Sequence, residues 1–395
     1  MKNGLLQEAN EKAIELLLNN STKYGILASS KSKLADSRNY LNVFGRDASI
    51  CSFGMVVSGN QQLKETAKKS LLLLADYQAG NGQIPNFIRA EKKVADFWYL
   101  GCIDATLWWL LAIKFYDRYV DEKIKLSTVL KNEIAKALNW LNCQEHPKFY
   151  LLPQNEASDW ADIMPRSGFV LYTNSLWYWV KKEYHLPKIK ETKESFNFLF
   201  YPWQKVSPKY FDKNHRAKRL VNTAKENVAA QENFLSFVNY SFYGEEIDVY
   251  GNLLAILSGV SDKEIEKLII NSFLKSKANM PWPIKTVLNP IKKNSKSWRK
   301  YMEINRQNYP AHYHNGGIWP FIGFFWIMAL HKNGKKTLAK KDFGRLIEMN
   351  NMNNWQFNEW LHGKKGIPMG MEGQSWNAAM QILAFHYINN KNIKL

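Results

Sequence analysis

Apolar residues recur every three or four positions along most of this chain, and that spacing constrains its fold more than any other feature. A period of this kind buries one stripe of an α-helix and leaves the opposite face to solvent. We therefore expect a mostly helical protein with one strand candidate, at 234–242. The expected helices cover residues 5–18, 47–59, 62–79, 103–118, 126–142, 171–184, 218–230, 247–258, 262–273, 317–332, 337–349 and 375–389.

Several of the expected helices follow one another through short turns, such as those at 58–60 and 258–262. Helices paired in this way, with little sheet, favour an all-α fold in which a double ring of helices closes on itself. A helical solenoid is the alternative, but its repeats would show a fixed period, and the sequence has none. Because no Pro-, Gly- or Ser-rich linker divides the chain, we expect a single domain over 1–395, with an inserted irregular loop at 187–219.

The composition limits the class of protein. The net charge is +19, but the lysines are scattered in short groups and form no nucleic-acid-binding motif, so we expect a solvated basic surface and no nucleic-acid partner. Cys51, Cys102 and Cys143 lie in apolar stretches, which predicts buried free thiols in a reducing compartment. Neither a leader peptide nor an apolar run of ~20 residues is found, so we expect a cytoplasmic protein without a membrane partner.

Loops between the expected helices place carboxylates beside tryptophans. Asp159 and Asp162 flank Trp160 just before an expected helix, and Glu359 precedes Trp360. An indole face removes water from a neighbouring carboxyl and raises its pKa toward the range that a general acid needs. A surface loop with a capping carboxylate is the alternative interpretation of the first pair. The spacing does not choose between the two aspartates.

Other polar and aromatic residues at the helix starts complete the candidate site. Asp47 and Asp104 each open an expected helix, where helix capping is the alternative role. His312 and His314 have no third ligand nearby, so we expect no metal, and without a phosphate loop or dinucleotide motif we expect no cofactor. Carboxylates among aromatics and amides favour a carbohydrate substrate. The candidate substrate-binding residues are Arg46, Asp47, Asp104, Trp108, Asp159, Trp160, Arg166, Asn174, His314, Asn315, Trp319, Trp360, Gln374 and Trp376.

Five segments, in the same order, resemble the glycogen-debranching-type amylo-α-1,6-glucosidases and the alkaline/neutral invertases. The resemblance runs from about Arg46 to Trp376 and implies a six-hairpin glycosidase, that is, a glycoside hydrolase built as an (α/α)6 toroid. The segments that carry it are 104–109, 159–177, 313–320, 359–363 and 374–376.

The resemblance also implies a role for each acid. Asp162 corresponds to the general acid that protonates the glycosidic oxygen, and Glu359 corresponds to the carboxylate that activates water on the opposite face of the sugar, with inversion. His362 departs from the family, which commonly has an aspartyl residue before this glycine, and we expect an altered subsite there.

The implied substrate is an α-glucoside, either a short oligosaccharide or a sucrose-like disaccharide. Many debranching-type enzymes carry an additional N-terminal domain, and its absence from the sequence favours such short substrates. Two other functions stay open. One is a sugar epimerase or isomerase, which would use a histidine pair such as His312 and His314, and the other is a non-catalytic carbohydrate-binding protein.

Overall fold

The computed structural model describes residues 3–97, 102–203, 215–240, 242–390 and 392–395. The fold is mostly helical, and each helix expected from the periodicity is present with shifted ends; the one expected at 126–142 is divided in two. The helices are α1 Asn3–Asn20, α2 Lys33–Ser37, α3 Gly45–Val57, α4 Gln61–Asp76, α5 Ile103–Tyr119, α6 Leu126–Val129, α7 Lys131–Gln144, α8 Leu171–Glu183, α9 Ile189–Phe200, α10 His215–Asn227, α11 Val249–Ser258, α12 Lys263–Lys275, α13 Pro320–Lys332, α14 Lys336–Asn350, α15 Met352–Trp355 and α16 Ser375–Asn389.

Six of these helices form a closed inner ring. Helices α3, α5, α8, α11, α13 and α16 pack each against the next in this order, and α16 packs back against α3. They are buried nearly all round; in α13, for example, every residue from 320 to 330 is buried. Helices α1, α4, α7, α9 and α14 pack on this ring from outside and bury one face each. The expectation of an (α/α)6 toroid is confirmed.

The inner helices all run in the same direction, because an outer helix returns the chain between successive members of the ring. Long loops therefore precede their first residues at one end of the toroid, whereas short turns such as 58–60 and 333–335 connect the other end. Among the described residues, the long loops contain the 3-10 helices Ala90–Lys92 and Lys300–Arg306. They also contain short strands: β1 Val43–Phe44, β2 Phe87–Arg89, β3 Val94–Asp96, β4 Pro153–Gln154, β5 Gly168–Val170, β6 Phe237–Val238, β7 Trp360–Leu361 and β8 Pro368–Met369. These strands form small antiparallel sheets in the orders β1-β2-β3, β4-β5-β6 and β7-β8.

Three expectations need correction. The irregular loop at 187–219 is helical at both ends, because α9 buries Phe196 and Phe200 beneath a charged outer face that obscured the helical spacing; residues 204–214 lie outside the described part. The strand candidate at 234–242 is reduced to β6. Of the three cysteines, which are free thiols, Cys143 is exposed on the outer helix α7 rather than buried.

Among the helices of the described residues, none combines the length and the hydropathy that crossing a lipid bilayer requires.

The first and last inner helices meet backbone to backbone at Gly54. A Cβ at this position would lie 1.9 Å from the carbonyl oxygen of Ala379, so no side chain fits between α3 and α16. At the loop end of the same seam, the Nδ2 of Asn20 donates to the Gly373 carbonyl and to the Ser375 hydroxyl, both at 2.9 Å. The ring is thus closed by contacts between the two ends of the chain.

Gly54→Ala is expected to force α3 and α16 apart and to lower the free energy of unfolding by about 3 kcal/mol, the scale of an overpacked core. Equilibrium urea unfolding measures this change. Gly80→Ala is the matched control, since a Cβ there meets nothing within 4 Å. Equal urea midpoints for the two variants would show that the ring does not depend on this contact.

Candidate active site

A cavity of about 670 Å³ opens among the long loops at the N-terminal ends of the inner helices. Its described lining includes Tyr40 from the loop before α3, Asp162 from the loop before α8, and Tyr313 from the loop before α13. Glu359 lies behind Tyr40 and is only 2 % exposed. A volume of this size lies in the range of sites for small organic ligands.

Glu359 is held from two sides. The hydroxyl of Tyr40 donates to Oε1 at 2.5 Å, and the backbone N–H of Met371 donates to Oε2 at 2.9 Å. Burial raises the pKa of this carboxyl to about 7, although both hydrogen bonds lower it; the charges of Asp47 and Asp162 raise it further. Glu359 therefore exchanges a proton near neutral pH.

Asp162 faces the cavity directly, and its side chain is 40 % exposed. The surrounding protein still removes much of its water, and this burial raises the pKa to about 6; the Arg46 charge opposes the shift. The Nδ1 of His314 lies 3.9 Å from Oδ1 of Asp162. Burial lowers the pKa of His314 well below its usual value, so the imidazole beside Asp162 is neutral.

Asp159 has a different role in the loop. Its Oδ1 accepts the N–H of Ala161 at 2.8 Å, its Oδ2 accepts the side-chain amide of Gln154 at 2.9 Å, and the residue is 3 % exposed. Both oxygens thus stabilise the turn that carries Asp162. The sequence left the two aspartates as alternatives, and this geometry favours Asp162 as the acid.

A buried network lies beneath the two carboxyls. The Nη1 of Arg46 donates to Oδ2 of Asp104 at 3.2 Å, and its Nε lies 3.4 Å from Oδ1 of Asp47. The same Oδ2 of Asp104 accepts the Tyr172 hydroxyl at 2.9 Å, and the indole N–H of Trp108 donates to that hydroxyl at 2.8 Å. Asp104 is therefore the counterion that fixes Arg46, rather than a helix cap, since the N-cap position of α5 is Cys102.

The amides of Asn174 and Asn315 also fix loops rather than face a ligand. Asn174 accepts the N–H of Leu152 and donates to the carbonyls of Leu152 and Val170. Asn315 accepts the N–H of Ile291 and donates to its carbonyl. These hydrogen bonds occupy both amide N–H groups and one lone pair of the oxygen, so they give the two residues a structural role in place of the predicted substrate contact.

Two more predicted substrate-binding residues are structural for similar reasons. Arg166 is 1 % exposed, and its guanidinium pairs with Glu246 at 3.1 Å and with Asp248 at 3.0 Å. Trp108 is 1 % exposed, and its ring lies in the aromatic core against Phe53. Both support the floor of the cavity and do not line it.

Most of the remaining predicted residues differ, because they carry buried polar atoms without a hydrogen-bond partner among the described residues. Trp319 is the exception, since its indole N–H donates to the carbonyl of Tyr313 at 3.0 Å. Buried polar atoms are nearly always paired in folded proteins, so such a cluster indicates that a polar ligand or water completes the bonding. The atoms are Oδ1 of Asp47, Nε1 of Trp160, Nδ1 of His314, Nε1 of Trp360, both amide atoms of Gln374 and Nε1 of Trp376; the hydroxyl of Tyr250 joins them.

Ring contacts show that several of these groups adjoin one another. Trp160 packs edge-on against Tyr250 (5.4 Å between centroids) and His314 (4.7 Å). His314 stacks on Trp319 at 5.3 Å, and Trp319 contacts Trp376 at 5.7 Å. The unpaired polar groups of Trp160, Tyr250, His314 and Trp376 thus belong to one aromatic cluster.

Sequence reasoning missed three tyrosines of this site. Tyr40 and Tyr250 lie in segments without a motif, and nothing in the residue spacing identifies them. Tyr313 opens the motif at 313–320 and was a detectable candidate. His312 and His314, in contrast, do not act as a pair, because the ring of His312 packs against His362 at 4.5 Å.

Comparison with known proteins agrees with this description. Residues 242–391 match the model of the alkaline and neutral invertase family, a region that includes Glu359 and excludes Asp162. Alkaline/neutral invertase C, mitochondrial, from Arabidopsis thaliana is 30% identical over 136 residues, which are 33% of this chain and 20% of that protein. The chain therefore spans about a fifth of the length of that relative.

Solved structures extend the likeness over nearly the whole chain. A GH63 mannosylglycerate hydrolase from Thermus thermophilus, in complex with Tris and D-glycerate, has a TM-score of 0.66 at 12% identity and covers 95% of this chain and 99% of its own. A rhamnosidase from Klebsiella oxytoca with rhamnose bound has a TM-score of 0.62 at 10% identity and covers 98% and 64%. At these identities the likeness shows the fold.

Tyr40→Phe is expected to raise the pKa of Glu359 above its value of about 7, because the phenol hydrogen bond that stabilises the ionised carboxylate is lost. NMR titration of side-chain-labelled glutamate measures the shift, with the signal assigned through Glu359→Gln. Tyr301→Phe is the control, since Tyr301 lines the same cavity but donates to Glu156. An unchanged or lowered pKa in Tyr40→Phe contradicts this account of the site.

Proposed function

We propose that the chain is a glycoside hydrolase that cleaves an α-glucosidic bond with inversion. The observation that carries the proposal is a pair of carboxyls, with pKa values of about 6 and about 7, beside a cluster of unpaired buried polar groups. Groups that titrate near neutral pH suit general acid and base catalysis, and unpaired donors suit a ligand covered with hydroxyls.

Asp162 is suited to protonate the leaving oxygen. It faces the cavity, and its raised pKa keeps a fraction of it protonated near neutral pH. Glu359 is suited to activate water, because Tyr40 and the Met371 amide fix the orientation of both oxygens while each keeps a second lone pair. The neutral imidazole of His314 leaves the Asp162 proton in place, since it carries no charge that would stabilise the carboxylate.

The two carboxyls titrate in the same pH range, with pKa values of about 6 for Asp162 and about 7 for Glu359. Singly protonated molecules therefore exist in two forms, with the proton on Asp162 or on Glu359. Only the form with Asp162 protonated and Glu359 ionised is productive in the proposed reaction.

A short α-glucoside or sucrose-like disaccharide is the proposed substrate. The cavity volume suits a small ligand, and the invertase match covers the loops that bear Glu359 and His314. A cytoplasmic location stays part of the proposal, on the basis of the free thiols of Cys51 and Cys102; the Arabidopsis relative is named as mitochondrial.

The two other functions have less support. An epimerase or isomerase would need a histidine pair in the cavity, and His312 instead packs against His362. A binding protein has no need of two carboxyls with raised pKa values. Incubation with a panel of maltose, isomaltose and sucrose, with the released anomer followed by NMR, tests the proposal; release of β-glucose supports it, and release of α-glucose or of no glucose overturns it.

Asp162→Asn and Glu359→Gln are each expected to lower kcat on the disaccharide about 10²–10⁴-fold, the usual scale of a lost proton-transfer group. α-Glucosyl fluoride separates the roles, because fluoride leaves without being protonated. We expect Asp162→Asn to cleave the fluoride at a rate near that of the wild type, whereas Glu359→Gln stays inactive. Equal losses of the two variants on both substrates would contradict the assignment.

The pH dependence of kcat/KM gives an independent measurement. With the disaccharide we expect a bell-shaped profile with limbs near pH 6 and pH 7, which belong to the pair rather than to one residue. With the fluoride only Glu359 must be ionised, so activity rises through about pH 7 and stays high. A rise through about pH 6 instead would exchange the roles of the two acids.

A further inference from the structure

Two loops at the open end of the cavity are held together by one carboxylate. Glu156, in the same loop as Asp162, lines the cavity, and so does Tyr301 in the loop before α13. The guanidinium of Arg299 donates to Oε1 of Glu156 from Nε at 3.1 Å and from Nη2 at 3.0 Å. The hydroxyl of Tyr301 donates to Oε2 of the same carboxylate at 2.8 Å. The loop that bears the acid is thus fixed to residues 299–301.

The open end is where the leaving group of the proposed reaction would lie. Asp162 protonates the leaving oxygen, so the leaving group extends from Asp162 away from the water that Glu359 activates. The unpaired groups suited to the sugar ring are buried. The lining beyond Asp162 is instead accessible to solvent, since the side chain of Glu156 is 32 % exposed and Ile304 is 52 % exposed. Solvent-accessible side chains therefore surround the leaving group.

One charge at this end has no counterion among the described residues. Of the described residues that line the cavity, Arg38, Glu156 and Asp162 have side chains that carry charge near neutral pH. Arg299 neutralises Glu156, and Asp162 is uncharged in the productive form. Arg38 is exposed, and its guanidinium has no hydrogen-bond or ion-pair partner in the described part of the chain. The mouth of the cavity is therefore positively charged.

The backbone that carries Arg38 is fixed relative to Glu359. Arg38 is the C-cap residue of α2, and its N–H donates to the carbonyl of Leu34 at 3.1 Å. Tyr40 follows in the same loop, donates its N–H to the carbonyl of Ala35 at 2.8 Å, and donates its hydroxyl to Glu359. The free cation is thus anchored to the carboxyl proposed to activate water, while its side chain extends into the solvent-accessible mouth.

We propose that Arg38 binds an anionic leaving group, so that the substrate is an α-glucoside whose leaving alcohol carries a carboxylate or a phosphate; the inference rests on the hydrolytic function proposed above. A guanidinium presents paired N–H groups that match two oxygens of either anion. Glu156 does not compete for Arg38, because Arg299 and Tyr301 already donate to both of its oxygens. Arg38 thereby determines specificity for the leaving group and takes no part in proton transfer.

Two substrates of nearly equal shape test this inference: 4-carboxyphenyl α-glucoside and its neutral analogue 4-carbamoylphenyl α-glucoside. The quantity measured is the ratio of their kcat/KM values, carboxylate over carboxamide. We expect Arg38→Gln to lower this ratio about fivefold, the upper scale of a solvent-exposed ion pair. Added KCl should lower the wild-type ratio as well, because salt screens an exposed charge. A 4-phosphonophenyl α-glucoside, measured alongside, identifies which anion depends more strongly on Arg38.

Two further variants make the test specific. Glu156→Gln keeps an oxygen that accepts from Arg299 but leaves that guanidinium without a counterion, so we expect the ratio to rise above that of the wild type. Lys33→Gln is the matched control. It removes an exposed charge at the start of α2, outside the described lining of the cavity, and should keep the wild-type ratio.

The outcomes separate the anion subsite from the hydrolytic function. An Arg38→Gln enzyme that keeps the wild-type ratio, or that loses activity on both glucosides by the same factor, overturns the anion subsite while leaving hydrolysis intact. An equal fall of the ratio in Lys33→Gln overturns it too, because the effect would then come from the overall charge. A wild-type protein that releases no glucose from any α-glucoside overturns the hydrolytic function, and the subsite with it.

Discussion

The whole site depends on closure of the helical ring, and the ring closes where Gly54 meets the backbone of Ala379. This contact sets the last inner helix against the first, so the loop before α16 meets the loop before α3. Tyr40 and Glu359, 319 positions apart, can then form a hydrogen bond of 2.5 Å. A spread of even a few ångströms at the seam would remove that bond and admit water to Glu359, which would bring its pKa back toward that of an exposed carboxyl.

The buried polar groups near the cavity fall into two sets, which differ in whether the protein supplies partners for them. In one set, which includes Asp104 and Arg166, each charge has a protein partner, so these residues fix the loops and the cavity floor. In the other set, which includes Gln374 and the neighbouring indoles, buried polar atoms lack a hydrogen-bond partner among the described residues. Leaving them unpaired costs stability, which is a familiar feature of ligand sites.

The helices were predictable because each buries a continuous apolar stripe. The acid-beside-indole pairs lie in loops at the cavity end of the toroid, and Asp162 lines the cavity itself. Other features depend on contacts that spacing does not encode. Whether Asn174 binds a ligand or a backbone is decided by Leu152, twenty-two positions away, and Tyr40 gains its role only when the ring closes. The charged residues that begin α9 hid its buried face, so that helix was mistaken for a loop. The resemblance, rather than the spacing, first separated Asp162 from Asp159, and the hydrogen bonds of Asp159 give the physical reason.

The unpaired polar groups around Asp162 and Glu359 are proposed above to form a sugar site. A crystal of Glu359→Gln soaked with an α-linked glucose disaccharide tests this directly, because the substitution keeps the shape of the side chain and prevents turnover. We expect density for one sugar ring between Asp162 and position 359, with hydroxyls within hydrogen-bond distance of Asp47 and Gln374. A disaccharide bound elsewhere, or an empty cavity at a saturating concentration of sugar, would contradict the proposed site.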